Sequence, residues 1–326
     1  MIAAFKISLS WSLPMLRLVS LGMLAALFFS STFVLNRAMS LEGGHWAWTA
    51  SLRFGYMTVF LCGWILVTRG PGRLAEIAGV FLKHWLFWIA AGSIGFGVFY
   101  SLLCFSASFA PGWIVATTWQ VTILATPLVL MVFGRRVPSR GLLFTAFIFS
   151  GILLVNIEHG SAAPIGEVLG GAVPVVVAAF AYPLGNQMVW EAKLGAGRLI
   201  PRIDHDVIED SLARVLLLTL GSVPFWCVLV LLAAPPPPSP GQWVNTAMVA
   251  LFSGVIATAI FLHARHLCSH PYELAAVDAT QSMEVVFSLV GEIIFLHASF
   301  PSPIGAAGAG LTVLGLVAYT RWQHTS

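Results

Sequence analysis

The sequence is dominated by a succession of long apolar stretches, each about as long as a helix that crosses a bilayer. Spanning takes roughly 20 mainly apolar residues, and ten such stretches with short connections fill nearly the whole of the 326-residue chain. Only 9% of the residues are charged, against about 25% in an average soluble domain. This pattern excludes a water-soluble core and predicts an all-α integral membrane protein with ten transmembrane helices.

Pro, Gly and charged residues separate the predicted spans, because each of them interrupts helix formation in lipid. The first five spans are predicted at 18–39, 46–67, 85–107, 112–133 and 141–157. The second five are predicted at 170–190, 211–234, 243–267, 274–297 and 303–321. Between the two sets, the polar stretch 191–210 fits either a short surface helix or a flexible linker.

Lys and Arg residues occupy alternate loops, a bias that marks cytoplasmic loops. With the N-terminus inside, fourteen of the sixteen basic residues lie on the cytoplasmic side. These are Lys6, Arg17, Arg69, Arg73, Lys83, Arg135, Arg136, Arg140, Lys193, Arg198, Arg202, Arg214, Arg265 and Arg321. One missed span would invert every later loop, so the bias predicts a multi-pass protein of the cell membrane with both termini cytoplasmic. The basic residues form no single patch, and no nucleic-acid partner is predicted.

An even division into two sets of five helices gives the halves opposite orientations, as in inverted-repeat transporters. Short internal similarities match Asn36 to Asn186 and Gln120 to Gln281. They pair the first span with the sixth and the fourth with the ninth. We therefore predict a five-plus-five inverted repeat, with one repeat at 18–157 and the other at 166–321.

The ninth predicted span carries most of the polar residues expected at membrane depth. Its members Asp278, Gln281, Glu284, Ser288 and Glu292 fall within an arc of about 120° at ~100° per residue. An ionisable residue at mid-helix costs about 2.5 kcal/mol or more, and lipid offers it no partner. This face must therefore line an aqueous cavity or make interhelical contacts. Gln281 and Glu284 are predicted to line a cavity, and both roles stay open for Asp278 and Glu292.

Two other spans supply the remaining predicted cavity residues. Span 4 contributes Trp119 and Gln120, and span 6 contributes Tyr182 and Asn186. Trp119 and Tyr182 are predicted as aromatic cavity walls. The alternative is that polar side chains here only hydrogen-bond to carbonyls of the preceding turn.

Arg53 is the other costly residue, about 10 Å into span 2 at 1.5 Å per residue. Such a buried cation predicts a carboxylate partner, for which Glu42, Glu158 and Glu292 are the candidates. The sequence contains no Walker loop, zinc-protease motif or nucleophile elbow. No metal, cofactor or enzyme activity is predicted.

Several stretches resemble the multidrug resistance efflux transporter branch of the drug/metabolite transporter superfamily. They are ALFFSSTFVLNRAM (26–39), GGHWAWTASLRF (43–54), APGWIVATTWQVTI (110–123), AAFAYPLGNQM (178–188), ALFSGVIATAIF (250–261) and AAVDATQSMEVVFSLVGE (275–292). The resemblance implies a ten-helix carrier with a central cavity lined mainly by helices 1, 3, 4, 6, 8 and 9. The four-helix members of the superfamily depend on a glutamate in their first helix, but the first span here has no carboxylate between Leu18 and Met39. If protons are exchanged for substrate, Glu284 and Glu292 are the carboxylates available.

The leading hypothesis is a secondary active transporter that exports small hydrophobic or cationic compounds by alternating access. An exporter of amino acids or other metabolites with the same fold is the alternative. An integral membrane enzyme and a non-transporting membrane subunit are the competing classes.

Overall fold

The computed structural model describes residues 13–135, 142–195, 200–269 and 271–323. Within these ranges every regular element is helical. Four basic residues used in the charge analysis, together with residue 141 at the predicted start of span 5, lie outside the described residues. The four are Lys6, Arg136, Arg140 and Arg198.

The described chain forms ten helical stretches. They are α1 (Leu13–Leu41), α2 (Trp46–Lys83), α3 (Trp85–Ser106), α4 (Gly112–Val132), α5 (Leu142–Ala162), α6 (Ile165–Leu194), α7 (Ser211–Ala233), α8 (Pro240–Leu267), α9 (271–295) and α10 (Pro303–Gln323). Seven of them, α1 to α4 and α6 to α8, are long and apolar enough to cross a membrane. The chain is therefore an all-helical protein with seven candidate spans in its described part.

The second helix is longer than predicted. It continues past residue 67 to Lys83, with a kink at Gly70, whose φ is 80°. Glycine adopts this conformation at little cost, and the following Pro71 has no N–H to donate. The segment 68–73 thus interrupts the helix, as predicted, but a second helical piece follows it, and Ile77 and Val80 of that piece are buried.

The stretch after α6 packs against the helices where the structure describes it. Residues 200–210 contain one 3-10 turn, Asp206–Ile208, and the Val207 and Ile208 side chains are buried. The Arg73 guanidinium of α2 pairs with Asp206 at 2.7 Å, and this hydrogen bond lowers the pKa of the Asp206 carboxyl below its ordinary value. Residues 200–210 are therefore held to the bundle rather than forming a free linker.

The helices pack in a small number of pairs. The first helix, α1, packs against α8 and α9, and α6 packs against α3 and α4. In addition, α2 packs against α7 and α5 against α10. Small residues allow the closest approaches, as is usual between helices in lipid. A Cβ added to Gly95 of α3 would lie 3.0 Å from the Gly185 Cα of α6, so the two backbones are in direct contact.

Besides α2 with its kink at Gly70, four helices depart from regular α-geometry in their interiors. Both α3 and α8 contain π-helical segments, Ser93–Val98 and Ala250–Ala257. The fourth helix is interrupted at residues 120–121, between its pieces 112–119 and 122–132. The ninth contains a 3-10 turn at Thr280–Ser282. Such irregular turns are frequent at functional sites, and they identify these four helices for closer inspection.

A carboxylate from α9 caps the start of α4. The Gly112 and Trp113 N–H groups donate to the two Glu292 carboxylate oxygens at 2.6 and 3.3 Å, and Glu292 is only 1% exposed. The first N–H groups of a helix have no partner within the helix, and the helix dipole favours a negative charge there. Glu292 is thus engaged in fixing α4 against α9.

Removal of this cap is expected to destabilise the protein. The Glu292→Ala variant leaves two buried donors without acceptors, which costs about 1–3 kcal/mol for each unsatisfied group. Glu292→Gln retains one acceptor oxygen and should lose less. Thermal unfolding of the purified protein measures the difference, with the exposed Glu42→Gln as control. Equal melting temperatures for Glu292→Ala and the control would contradict the capping role.

The α5–α10 contact gives a second prediction. A Cβ added to Gly151 would overlap the Thr312 side chain and lie 2.5 Å from the Gly308 carbonyl oxygen, whereas one at Gly310 meets nothing within 4 Å. We expect Gly151→Val to destabilise the protein by about 1–3 kcal/mol, as overpacking does, and Gly310→Val to leave it unchanged. Melting temperatures of the two variants test this. A similar loss in both would show that the helix pair does not depend on close backbone contact.

Candidate functional site

A set of polar side chains from α1, α2, α3 and α8 meets in the interior of the bundle. We refer to it as the polar centre, and its members are Thr32, Asn36, Arg53, Tyr100, Cys104 and Ser253. Every residue of the set is at most 9% exposed. Buried polar groups are costly unless they are hydrogen-bonded, so their partners determine what the set can do.

Arg53 lies at the middle of the polar centre and is 9% exposed. Its Nη2 donates to the Ser253 hydroxyl at 3.1 Å, and its guanidinium carbon lies 4.0 Å from the centroid of the Tyr100 ring. The predicted ion pair is not observed, since no carboxylate oxygen of the described residues, including Glu42, Glu158 and Glu292, lies within 4.0 Å of its nitrogens. The Ser253 hydroxyl and the face of the Tyr100 ring contact Arg53 in place of the predicted carboxylate.

The other members hydrogen-bond among themselves. The Tyr100 hydroxyl donates to Asn36 Oδ1 at 3.2 Å, and Asn36 Nδ2 lies 3.5 Å from Cys104 Sγ. Thr32 donates its hydroxyl hydrogen to the Ser253 oxygen at 2.7 Å. Through these bonds α1 is joined to α3 and to the π-helical segment of α8.

Three aromatic rings from α3, α4 and α6 form a wall beside the polar centre. The Phe99 ring lies 4.8 Å from Trp119 and 5.0 Å from Tyr182, and Trp119 lies 5.7 Å from Tyr182, all between centroids. These separations are typical of aromatic pairs. Phe99 also contacts Tyr100 of the polar centre, at 5.9 Å. Trp119 and Tyr182, predicted as aromatic walls, therefore lie together, and 38% of Tyr182 is accessible.

Glu284 of α9 is a buried carboxylate, 8% exposed, and it makes no hydrogen bond or ion pair to any residue that the structure describes. It interacts electrostatically with Tyr182, as does Arg53. The next polar residue on the same face, Ser288, is fully buried, and its hydroxyl has no partner in the described chain. The polar face of α9 therefore points into protein.

The remaining predicted site residues have local partners. Gln120 is buried and donates to the Ala116 carbonyl, and Asn186 donates to the Tyr182 carbonyl. Gln281 lies 3.4 Å from the Thr280 hydroxyl and is half-buried. Asp278 pairs with Arg265 of α8 at 3.0 Å.

Two surface cavities lie elsewhere. One of about 400 Å³ is lined by Lys83, Trp85 and Pro201 among others, and one of about 290 Å³ by Lys193, His205 and Glu209 among others. Neither is lined by a predicted site residue. In the described ranges, no group of three or more His, Cys, Asp or Glu residues lies close enough together to hold a metal ion.

Sequence reasoning did not place Tyr100, Cys104 or Ser253 in the site. Asn36 was noted only through its match to Asn186. The sequence does contain a signal for these residues, because a buried Arg53 needs partners at the same membrane depth in neighbouring helices. A carboxylate is the expected partner of a buried arginine, but a tyrosine ring and a serine hydroxyl can also stabilise a buried guanidinium.

Comparison with known proteins identifies relatives over nearly the full length. Residues 16–325 match the family model EmrE, described as "Putative multidrug resistance efflux transporter". The chain is 37% identical over 321 residues to the uncharacterized protein YjlA of Bacillus subtilis, covering 94% of both chains. It is also 37% identical over 277 residues to an uncharacterized 42.1 kDa protein of Shouchella clausii, covering 81% of this chain and 69% of that protein.

The fold is found among solved structures as well. A crystal structure described only as that of a "protein" superposes with a TM-score of 0.60 at 14% identity, over 94% of this chain and 98% of the other. That likeness concerns the fold alone. The family match extends over α1 to α10, and the chain therefore belongs to the EmrE family of multidrug resistance efflux transporters, within the drug/metabolite transporter superfamily.

Proposed function

We propose that the protein is a secondary active transporter that exports small hydrophobic or cationic compounds by alternating access. The observation that carries the proposal is the buried polar centre with the aromatic wall beside it, built from helices of both halves of the chain. Transporters of this type bind substrate near the bilayer midplane, at the interface of their repeats, where helices are irregular. Irregular turns occur here in α3, α4, α8 and α9.

The proposal includes ten membrane-spanning helices in two five-helix repeats of opposite orientation, 18–157 and 166–321. Helix packing supports the two repeats. When each helix is replaced by the helix five positions later or earlier in the chain, the contacts of α1 with α8 and α9 become the contacts of α6 with α3 and α4. The π-helical segments lie in α3 and α8, which are counterparts, and the breaks near Gln120 and Gln281 lie in α4 and α9, which are also counterparts.

Helix lengths are compatible with ten spans. Both α5 and α10 have 21 residues, and at 1.5 Å per residue this reaches about 30 Å, the thickness of the hydrocarbon core. We place the protein in the cell membrane with both termini in the cytoplasm, on the basis of the Lys and Arg bias.

Proton coupling is assigned to Glu284 rather than to Glu292. The Glu292 oxygens accept hydrogen bonds from backbone N–H groups of α4, so protonation of Glu292 would weaken the cap. Glu284 has no such partner in the described chain, and its ionised form is unfavourable in an apolar interior. A carboxylate of this kind is suited to accept a proton from one side and release it to the other as the cavity changes its access.

A second candidate, export of amino acids or other metabolites, is favoured by one observation. No carboxylate of the described residues pairs with Arg53, and its positive charge would repel a cation bound beside the aromatic wall. An integral membrane enzyme and a non-transporting subunit are the other classes considered. Flux measurements on purified protein in proteoliposomes, with and without an imposed pH gradient, separate transport from both.

The role of Glu284 is tested by substitution. We expect Glu284→Gln to abolish transport driven by a pH gradient while substrate exchange without a gradient continues, because the neutral Gln amide does not take up and release a proton as a carboxylate does. Combining it with Glu292→Gln should give the same transport defect together with lower stability. The exposed Glu167→Gln on α6 is the control. Unchanged gradient-driven transport in the double variant would eliminate coupling by these carboxylates.

Access of water to the polar face of α9 is a separate prediction. In a variant without the four native cysteines, Gln281→Cys should react with a water-soluble maleimide. By contrast, Val290→Cys, at a position that is 44% exposed on the outer side of the helix, should be shielded by lipid. Labelling from each side of the membrane in vesicles measures this. Protection of Gln281→Cys from both sides would contradict a central aqueous cavity.

A further inference from the structure

We propose that Arg53 binds a carboxylate group of the transported molecule, so that substrates of this protein are compact apolar or aromatic compounds with one anionic end. The inference rests on the proposed transport by alternating access, and it assigns substrates with an anionic end in place of the cationic class. Its starting point is the charge of the polar centre, in which Arg53 is the one residue that is always ionised. The set contains no acid, and no carboxylate of the described chain pairs with the guanidinium.

The guanidinium retains unused hydrogen-bonding capacity. Of its three nitrogens, only Nη2 donates to a described residue, the Ser253 hydroxyl. Nε is buried and has no acceptor in the described chain. Arginine presents its donors in a planar fork that fits the two oxygens of a carboxylate. Charged residues inside spanning segments are rare and mark functional sites.

The surroundings of Arg53 complete the description of the ligand. The Tyr100 ring holds one face of the guanidinium at 4.0 Å, which leaves the edge of the group for an anion. Phe99 packs between Tyr100 and the pair Trp119 and Tyr182. A molecule whose carboxylate meets Arg53 would therefore lay its apolar part along the aromatic wall. Tyr182 is 38% exposed, so part of the aromatic wall is accessible for contact.

A purely structural role would have Arg53 join α2 to α3 and α8. That role predicts loss of stability when Arg53 is replaced, but no selectivity for the charge of a ligand. Charge selectivity is therefore the property to measure. Arg37 of α1 provides a matched control, because it is a half-buried arginine that donates to the Ala107 carbonyl and lies outside the polar centre.

The experiment compares three probes with one aromatic body: 3-phenylpropionate, phenethylamine and phenylalanine. Binding to the purified full-length protein is measured as the rise in melting temperature at millimolar concentrations. We expect 3-phenylpropionate and phenylalanine to stabilise the wild-type and Arg37→Gln proteins. Arg53→Gln should abolish this effect, and Arg53→Lys should weaken apparent affinity by about tenfold or more, because lysine lacks the planar fork. Should Arg53→Gln fail to fold, Arg53→Lys provides the readout.

Three results would overturn the inference: stabilisation by phenethylamine alone, equal binding of 3-phenylpropionate to wild type and Arg53→Gln, or no stabilisation by either carboxylate. Proteoliposome flux separates this failure from that of transport. If phenethylamine is carried and the carboxylates are not, the efflux proposal stands and the carboxylate site is wrong. If the protein moves none of the probes and binds none, both proposals fail for this class of compounds.

Discussion

The burial of one guanidinium, that of Arg53, is the constraint on which the centre of the molecule depends. A charge removed from water must be stabilised by what surrounds it, and here the aromatic face of Tyr100 and the hydroxyl of Ser253 do so. Those two residues are held in turn by Asn36 and Thr32 of α1. Four helices therefore converge on a single cation: α2 carries it, α3 and α8 contact it through Tyr100 and Ser253, and α1 binds those two residues.

The two buried carboxylates of α9 have different surroundings, although they share one face of the helix. Glu292 caps α4, and two backbone N–H groups donate hydrogen bonds to its oxygens. Glu284 lies about two turns earlier and meets no donor in the described chain. The same residue type thus contributes to architecture at one depth and is available for chemistry at another. The difference arises because Glu292 lies at the first N–H groups of α4, whereas no donor of the described chain bonds to Glu284.

Apolar stretches and the Pro, Gly and charged residues between them predicted the all-helical membrane class and the approximate position of each helix. This was possible because a helix in lipid needs a continuous run of apolar residues, which the sequence shows directly. Trp119 and Tyr182, predicted as aromatic cavity walls, lie 5.7 Å apart between ring centroids, and their place in a cavity stays a prediction. The length of α2 was not predicted, since the helix resumes after the positive φ of Gly70. The partners of Arg53 were missed for a deeper reason: sequence shows that a buried charge needs stabilisation, but tertiary packing decides whether an acid, a ring or a hydroxyl provides it.

The contact between Gly95 and Gly185 has a consequence for movement. With no side chain between the two backbones, a shift of α3 along α6 would bring a larger residue into a space that only glycine fits. The contact lies in the π-helical part of α3, where the hydrogen-bond ladder is already loosened. The arrangement therefore opposes translation of the two helices along each other more than a change in the angle between them.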